Sequence, residues 1–433
     1  MKLKLKGMDK KTLILITSVA AVFVVASIVM VLVLSLGKKP ENSPPAEEQT
    51  KTFTAIESIN GVWIATVSNT NFPSAPDLSE IQLKSELDSI VENAADIGLN
   101  AIFFQVRPAS DSLYNSEIFP VSEYLSTNGE LTLDCLDYLV KKAKDRGIGV
   151  HAWINPLRVA TGGTVDALAD GNPAKADASL AVKYADGKIY YDCGNPKVRQ
   201  LICNGIREVV ENYDVAGIVF DDYFYPYPVY ETHSDGTKSI ADFDDAATYA
   251  KYGQNFDDIG DWRRNNVNTL IEECYKTVKE IDQSCLFGVS PFGIWKNGYG
   301  DESGSRTSGA QSYYDIYCDT LEWAKVGYID YVAPQLYWTN NTQAAPYGEL
   351  IEWWGRMLAE AKVPLLVSHA AYRYSEWESP SGIITSQVVA AGKQETYCGS
   401  IFYGYGEIYY NKEGIRNELK ELYGTEKQEK ADD

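Results

Sequence analysis

The strongest constraint on the fold is a repeated alternation between short runs rich in β-branched and aromatic residues and longer amphipathic stretches. Eight such runs occur, at residues 61–68, 100–108, 148–156, 216–226, 286–295, 329–338, 364–373 and 400–407. Continuous apolar runs bounded by polar turns are typical of strands that are covered on both faces. The alternation therefore predicts an α/β protein with a parallel sheet whose strands are connected by helices.

The stretches between the runs have the periodicity and the end signals of helices. From Asn195 to Tyr213, apolar residues recur three and four positions apart, with Asn195 suited to the N-cap and Pro196 to the first turn. Ser79 and Gln82 form a capping-box pattern. Eight strands alternating with helices favour a closed (β/α)8 barrel, the TIM barrel. An open doubly wound sheet is the alternative, but no glycine-rich phosphate loop follows any run.

Three of the connections that follow predicted strands are long, at about residues 157–194, 224–256 and 292–313. In a (β/α)8 barrel the loops after the strands build the active site. Long βα loops there predict a walled cleft for a large substrate rather than a small pit for a metabolite. In the segment DWRRNNV, Trp262 and Arg263 are interpreted as locking the loop after the fourth strand to the barrel.

The amino-terminal segment predicts the compartment. Residues 12–36 form an uncharged, mostly aliphatic run that is long enough to cross a bilayer as a helix. Five lysines precede it in residues 1–11, against Lys38 and Lys39 after it, so the positive-inside bias places the amino terminus in the cytoplasm. We expect a signal anchor that makes a single pass through the cell membrane and leaves the rest of the chain extracellular. A cleaved signal peptide is the alternative.

The remainder of the chain divides by composition. Residues 37–52 are polar and contain prolines, which predicts a flexible stalk between the membrane and the folded part. Residues 53–423 contain all the strand and helix patterns and form the predicted barrel domain. The last ten residues, 424–433, are charged and lack apolar periodicity, so we expect a disordered tail.

Charge and metal-ligand content narrow the class of function. The formal net charge of −21 argues against binding of nucleic acid through bulk electrostatics. Seven cysteines show no C-x-x-C spacing and the three histidines are dispersed, so neither a metal site nor a cofactor is expected. Aromatic residues make up 12% of the chain, including 30 tyrosines, and such rings suit stacking against sugars.

Two adjacent carboxylates follow the fourth predicted strand, in the sequence IVFDDYFYP. Because like charges repel, we expect a raised pKa at Asp221 or Asp222, and such a pair is costly unless it is used. Neighbouring side chains on a strand point to opposite faces, so both reach the cleft only if the strand bends there. A surface turn or a helix N-cap is the alternative. The flanking Tyr223 and Tyr225 favour a functional site.

Other polar and aromatic side chains follow the remaining predicted strands, at the same end of the barrel. With the Asp pair as the catalytic groups, the predicted substrate-binding residues are Arg107, Asp111, Tyr114, Asn155, Arg158, Tyr223, Tyr225, Trp295, Gln335, Tyr337, Trp338 and Tyr403. Each has a structural alternative, such as a turn cap for Asp111, an ion-pair partner for Arg107 or a core position for Trp295. Their convergence on one face of the barrel is what indicates a site.

This set of residues is typical of glycosidic bond cleavage, because carboxylates and tyrosines supply acid chemistry and aromatic rings bind sugars. There is no G-x-S-x-G nucleophile elbow and no Cys–His pair at strand ends. The acidic segment 242–245 lacks the residue order of an EF-hand. The predicted substrate is therefore a carbohydrate, most simply a polysaccharide.

With these segments placed, the chain resembles the bacterial glycosyl-hydrolase-like family 10. The stretches that carry the resemblance are GVWIATV, FFQVRPASDSLYNSEIFP, HAWINPLR, NPKVRQLICNGIREVVENYDVAGIVFDDYFYP, DWRRNNVN, GVSPFGIW and DYVAPQLYW. They occur in order over almost all of residues 53–423. The resemblance implies a (β/α)8 barrel and extracytoplasmic carbohydrate hydrolysis, with cell-wall glycan strands of the peptidoglycan type as the substrate.

The resemblance also bears on mechanism. Retaining barrels usually carry a nucleophilic glutamate at the end of strand seven, whereas that strand here reads LVSHAAYRY, with no carboxylate before Glu376. The Asp pair looks instead like the paired acids of N-acetylhexosaminidase barrels, in which the substrate's own acetamido oxygen is the nucleophile. By that resemblance Asp222 is the proton donor, Asp221 orients the acetamide and Tyr337 supports it. The opposite assignment of the two aspartates stays open at this point.

Other classes of function also stay open. A barrel that binds glycan without cutting it would keep the aromatic platform but lose its acids. A glycosidase acting on a non-acetylated polysaccharide would keep both the aromatic platform and the acids. A membrane-tethered scaffold for wall-synthesis partners would need an exposed apolar patch.

Overall fold

The computed structural model describes residues 57–298 and 303–424 of the chain. The predicted segments 1–11, 12–36 and 37–52 lie outside the described residues, as does the predicted tail apart from its first residue. Within the described ranges, no helix is long and apolar enough to cross a membrane.

Eight parallel strands form a closed barrel. In chain order they are β1 (Gly61–Ile64), β2 (Ala101–Arg107), β3 (Gly149–Ile154), β4 (Gly217–Phe220), β5 (Leu286–Val289), β6 (Tyr331–Val332), β7 (Leu365–Ala370) and β8 (Tyr397–Tyr403). Each strand pairs with its neighbours in sequence, and β1 pairs with β8, where Gly61 lies opposite Ile401. This closure confirms the predicted barrel over the open doubly wound sheet, because an open sheet leaves two edge strands unpaired.

Helices surround the barrel, and the main helix after each strand has between 7 and 23 residues. They are α1 (Glu80–Ile97), α2 (Cys135–Lys144), α3 (Pro196–Asn212), α4 (Ile259–Ile281), α5 (Thr320–Val326), α6 (Tyr347–Ala361), α7 (Ile383–Ala391) and α8 (Ile415–Tyr423). Ser79 and Gln82 form a reciprocal capping box at the start of α1. Asn195 caps α3 by accepting a hydrogen bond from the N–H of Lys197. These helices begin where the local sequence predicts, because the caps satisfy otherwise unpaired N–H groups.

Inward-facing side chains fill the middle of the barrel. The ring of Trp63 lies 4.7 Å from that of Phe103 and 5.0 Å from that of Trp153. His151 stacks on Phe103 at 4.5 Å and shares a hydrogen bond with the hydroxyl of Tyr331. Burial lowers the pKa of His151 to about 3, so its imidazole is neutral. It packs inside the barrel as a core side chain. This packed layer leaves the loop end of the barrel as the place for a site.

The long connections fold into small structures of their own. The loop after β3 forms a three-stranded antiparallel sheet of Arg158–Ala160, Ala181–Lys183 and Ile189–Tyr191. The loop after β4 carries a hairpin of Tyr230–Thr232 and Lys238–Ile240, followed by the helix Ala246–Tyr252. The loop after β5 contains the short helix Ser312–Asp315. Together these segments wall the carboxyl end of the barrel.

Arg263 of α4 fastens the loop after β4 to the barrel. Its guanidinium donates to the two carboxylate oxygens of Asp245 at 2.8 and 2.6 Å, and also to the carbonyl of Phe243. Beside it, the ring of Trp262 packs against Tyr249 at 5.1 Å. These contacts agree with the interpretation that Trp262 and Arg263 attach the loop after β4 to the barrel.

Candidate active site

A cavity of about 280 Å³ opens at the carboxyl ends of the strands. Every strand, or the loop that follows it, contributes to the lining, which consists of Trp63, Val67, Gln105, Trp153, Arg158, Asp221, Asp222, Tyr223, Tyr227, Ser290, Gln335, Tyr337, Tyr372 and Tyr403. Two of these side chains are carboxylic acids, one is a guanidinium and seven are aromatic. The cavity therefore combines acid groups with aromatic faces.

The two adjacent carboxylates share this cavity. β4 ends at Phe220 and the chain bends at Asp222, so the strand's alternation of side chains no longer applies there. Asp221 and Asp222 are 4% and 5% exposed, and both line the cavity. The bend that the sequence analysis required for a joint site is therefore present.

Asp221 is held by N–H donors. Trp153 Nε1 and Asn155 Nδ2 donate to its Oδ2 at 3.0 and 3.2 Å, and the backbone N–H of Tyr223 donates to its Oδ1 at 3.2 Å. Three donors fix the plane of the carboxylate and favour its charged form. Asp221 is thus oriented before any ligand binds.

Asp222 is held by an amide and a hydroxyl. Gln335 Nε2 donates to Asp222 Oδ1 at 2.8 Å and is anchored in turn on the carbonyl of Ser290 at 3.0 Å. The hydroxyl of Tyr227 donates to Asp222 Oδ2. Residues that follow β4, β5 and β6 therefore converge on one carboxyl group.

Burial raises the pKa of both carboxyl groups. For Asp221, burial is the largest cause and the charge of Asp222 the next, and together they raise its pKa to about 7. Burial also raises the pKa of Asp222, while the hydrogen bonds from Tyr227 and Gln335 oppose that rise. Arg158 lowers the pKa of both groups. The pair therefore retains a proton at a pH where an exposed aspartate has lost its own.

Tyrosine rings form much of the cavity wall. Tyr223 and Tyr227 stack with their centroids 4.9 Å apart, and the guanidinium of Arg158 lies 4.3 Å from the centroid of Tyr223. Tyr337 and Tyr403 form a second stack at 5.9 Å. Stacked rings present rigid apolar faces of the kind on which sugar rings bind.

The structure brings only part of the predicted binding set together. Five of its members line the cavity: Arg158, Tyr223, Gln335, Tyr337 and Tyr403. Asn155 is fully buried and reaches the site through its hydrogen bond to Asp221. Asp111 lines an adjoining pocket instead.

The other five predicted binding residues pack into the protein, namely Arg107, Tyr114, Tyr225, Trp295 and Trp338. A register shift in β2 between Gln105 and Arg107 breaks the inward alternation, and Arg107 lies over the ring of Phe119 at 4.7 Å. Trp295 stacks at 5.9 Å on Trp353 and lies in the hydrophobic core, the alternative to substrate contact named for it above. These side chains support the loops that wall the cavity.

Seven cavity residues are absent from the predicted set: Trp63, Val67, Gln105, Trp153, Tyr227, Ser290 and Tyr372. Trp63 and Trp153 occupy inward positions of their strands, so counting side-chain alternation back from the strand ends could have found them. Tyr227 lies in the loop after β4, and Tyr372 lies in the 3-10 helix Ala371–Glu376 that follows β7. No signal in the sequence distinguishes these two from the other tyrosines.

The described residues show no cluster suited to a metal. Within residues 57–298 and 303–424, no group of three or more His, Cys, Asp or Glu side chains is placed to hold an ion. In the acidic segment 242–245, Asp245 is paired with Arg263, and Asp242 lies 3.6 Å from the same guanidinium. All seven cysteines are free thiols, and six of them are buried.

Comparisons with known proteins agree with this geometry. Residues 58–379 match the family model described as glycosyl hydrolase-like 10. The chain is 34% identical over 376 residues to glycosyl hydrolase YngK of Bacillus subtilis, which covers 84% of this chain and 72% of that protein. It is also 34% identical over 373 residues to glycosyl hydrolase DigH of Escherichia coli K12, covering 82% of this chain and 81% of that protein.

Among solved structures, the barrel is similar to the PgaB (BpsB) glycoside hydrolase domain of Bordetella bronchiseptica. The TM-score is 0.55 at 14% sequence identity, over 84% of this chain and 98% of that domain. At this identity the likeness concerns the fold alone. The family match, in contrast, extends over most of the barrel and includes the Asp pair. The chain therefore belongs to the glycosyl hydrolase-like 10 family and is a glycoside hydrolase.

Proposed function

We propose that the protein cleaves glycosidic bonds in an N-acetylated cell-wall glycan of the peptidoglycan type. The observation that carries this proposal is the pair of adjacent acids, Asp221 and Asp222, in a cavity whose described lining includes no other carboxylate. A double displacement by two carboxylates needs a nucleophile on the side of the sugar opposite the acid. Two neighbours at one strand end do not supply that arrangement, so the substrate's acetamido group is the nucleophile we propose.

In the proposed mechanism, Asp222 donates its proton to the leaving oxygen while the acetamido oxygen attacks the anomeric carbon. The glycosidic bond breaks and a cyclic oxazolinium ion forms. Asp221 accepts a hydrogen bond from the acetamide N–H and stabilises the positive charge. Asp222, now a carboxylate, removes a proton from the water that opens the ring, and both aspartates return to their starting states.

Tyr337 is suited to support the acetamido group. Its hydroxyl lies 2.9 Å from Ser368 Oγ, which also accepts a hydrogen bond from Trp63 Nε1 at 2.9 Å. Burial raises the pKa of Tyr337 well above its ordinary value, so the hydroxyl keeps its proton. Stacking on Tyr403 restrains the ring. A restrained, protonated hydroxyl can donate to the acetamido oxygen and hold it near the anomeric carbon.

The place of action that we propose is the outer face of the cell membrane. The sequence prediction of a signal anchor at residues 12–36 supports a single-pass protein with its barrel outside the cell. A fully extended stalk at residues 37–52 would span about 50 Å at about 3 Å per residue. A hydrolase tethered in this way reaches glycan strands close to the membrane.

The raised pKa of the Asp pair predicts an alkaline limit to activity. The donor Asp222 must be protonated, so we expect kcat/KM to fall as the pH rises through its pKa, which burial raises above the range of an exposed aspartate. An exposed aspartate would lose its proton at about pH 4. A pH–rate profile on glycan strands measures this limit, and activity already lost at about pH 5 would contradict the shared proton.

Digestion of purified glycans tests the function directly. The full-length protein is incubated with peptidoglycan strands with and without stem peptides, with an N-acetylglucosamine polymer and with a non-acetylated polysaccharide, and products are identified by mass spectrometry. We expect new reducing ends from acetylated substrates only, and strong inhibition by a thiazoline that mimics the oxazolinium ion. Cleavage of the non-acetylated polymer alone would refute acetamido assistance. Binding without cleavage of any polymer would refute catalysis.

A further inference from the structure

Two cysteines meet where α3 packs against α4. Cys203 lies in the middle of α3 and Cys274 lies in α4, and their Sγ atoms are 3.8 Å apart. This distance is close to the sum of two sulfur van der Waals radii, so the thiols touch without a bond between them. Cys203 is 6% exposed, whereas Cys274 is fully buried. The pair is therefore a dithiol enclosed by protein that solvent reaches at one sulfur.

The surroundings of the other cysteines are different. The Sγ atoms of Cys135 and Cys285 approach backbone carbonyl oxygens, and the Sγ atom of Cys318 lies 3.4 Å from the hydroxyl oxygen of Thr320. Within residues 57–298 and 303–424, the contact between α3 and α4 is the only one that joins two cysteine sulfurs. This place alone in the described chain therefore brings two thiols together.

The geometry of the pair permits a disulfide bond. An S–S bond is about 2.05 Å long, so the two sulfurs need to approach each other by less than about 2 Å. Each Sγ moves when its side chain turns about the Cα–Cβ bond, and the two helices that carry the cysteines already pack together. The thiols are therefore close enough to be joined while the protein stays folded.

The two thiols differ in reactivity. Cys274 donates its S–H to the sulfur of Cys203, and this hydrogen bond lowers the pKa of Cys203. Burial, together with the same contact, raises the pKa of Cys274 well above its ordinary value. The thiolate is the form that attacks a disulfide, and Cys203 is also the sulfur that solvent reaches. Cys203 is therefore the group that reacts first, and Cys274 is the group that completes the bond.

We propose that Cys203 and Cys274 are a site of reversible oxidation, and that a disulfide bond between them fastens α3 to α4. The oxidant is another disulfide. The Cys203 thiolate attacks it, which forms a mixed disulfide and releases one thiol of the reagent. Cys274 then loses its proton and attacks the Cys203 sulfur, which forms the protein disulfide and releases the second thiol. The two electrons of the dithiol thus pass to the reagent.

The bond would act on the part of the chain that carries the catalytic groups. The segment that it closes, residues 203–274, contains β4, both catalytic aspartates and the ion pair of Asp245 with Arg263. A cross-link over a long segment stabilises a protein mainly by restricting the unfolded chain. The inference goes beyond the proposed function and shares with it only the place of action, since oxidising conditions are found outside the cell.

Peptide mapping and thermal unfolding test the inference. The full-length protein is incubated with oxidised glutathione or with dithiothreitol, denatured, alkylated and digested, and its peptides are identified by mass spectrometry. We expect the oxidised sample to contain a peptide pair joined through Cys203 and Cys274, with both sulfurs alkylated in the reduced sample. We also expect the unfolding midpoint to be about 5 °C higher in the oxidised form.

Three variants assign the effect to this pair. Cys203→Ala and Cys274→Ala should each abolish the difference in unfolding midpoint between the oxidised and reduced forms. Cys318→Ala is the matched control, because it removes a buried thiol that contacts a hydroxyl instead of a second thiol, and it should keep the difference. Comparing the two redox forms of one variant cancels any general effect of the substitution on stability.

Several results would overturn the inference. One is a sample in which both sulfurs are still alkylated after oxidised glutathione, and another is a Cys203 that stops at the mixed disulfide with glutathione. A cross-linked protein whose unfolding midpoint equals that of the reduced form would show that the bond fastens nothing. Neither readout uses a glycan, so the outcome is independent of whether the proposed function holds.

Discussion

Asp222→Asn is expected to lower kcat on glycan strands by about 10²- to 10⁴-fold, because a positioned general acid supplies about that factor. The substitution keeps the size of the side chain, and the new amide oxygen can still accept one of the bonds that Gln335 and Tyr227 now donate. We therefore expect the thermal unfolding midpoint to change little. Turnover close to that of the unaltered protein would contradict the role of Asp222 as proton donor.

The leaving group distinguishes the two aspartates. An aryl glycoside of a strongly acidic phenol needs little protonation, so Asp222→Asn should release the phenol with a kcat/KM close to the unaltered value. Its kcat should still fall, because Asp222 is also the base for the water that opens the ring. Asp221→Asn should be impaired on both substrates, because the acetamido group must be oriented whichever group leaves. If Asp221→Asn shows the dependence on leaving group instead, the two roles are exchanged. Asp315→Asn, at a carboxyl group outside the cavity, is the matched control and should keep both rates.

Asp245→Asn is expected to lower the free energy of unfolding by about 3–5 kcal/mol, the cost of leaving a buried charge without its counter-ion. The side chains of Asp245 and Arg263 are 1% and 8% exposed, so water does not replace the lost partner. Burial raises the pKa of Asp245, whereas the pKa of Arg263 is raised despite burial, by the hydrogen bonds and charge of Asp245. The loss comes from the buried guanidinium, which keeps only the exposed Asp242, at 3.6 Å, as a charged partner. Urea denaturation measures it.

Two further variants test this explanation of the Asp245–Arg263 ion pair. Replacing both partners, as Asp245→Leu with Arg263→Met, removes both charges and should restore much of the lost stability. Arg306→Ala breaks the pair with Glu349, in which the arginine side chain is 79% exposed, and should cost far less stability, because water replaces the lost partner. A cost no larger than this for Asp245→Asn would show that the loop after β4 is held by other contacts.

Two arginines illustrate what a pattern of residues leaves undecided. Arg107 is the last residue of β2 and Arg158 follows β3, and substrate contact was predicted for each from its place at a strand end. The register shift in β2 places Arg107 over Phe119, whereas Arg158 lines the cavity beside the Asp pair. A shift of one residue changes the face of a side chain without changing the composition of the strand. The sequence therefore treats the two arginines alike.

For aromatic residues too, residue type did not decide which side chains reach the cavity. Trp295 and Tyr337 lie in equally aromatic strand ends, yet Trp295 stacks on Trp353 in the core and Tyr337 faces the cavity. A large apolar ring stabilises a core and a sugar platform by the same burial of area, so residue type does not separate the two roles.

Local properties of the chain were enough to predict the strand number, the helix starts at Ser79 and Asn195, and the adjacency of the two acids. Periodicity, capping and covalent neighbours act over a few residues, and they can be read without a fold. The membership of the cavity was decided by the closed barrel. Asp222 and Gln335 meet because β4 stops at Phe220, where the chain bends, and because closure brings all the strand ends to one rim. Such contacts depend on long-range packing, which no local pattern encodes.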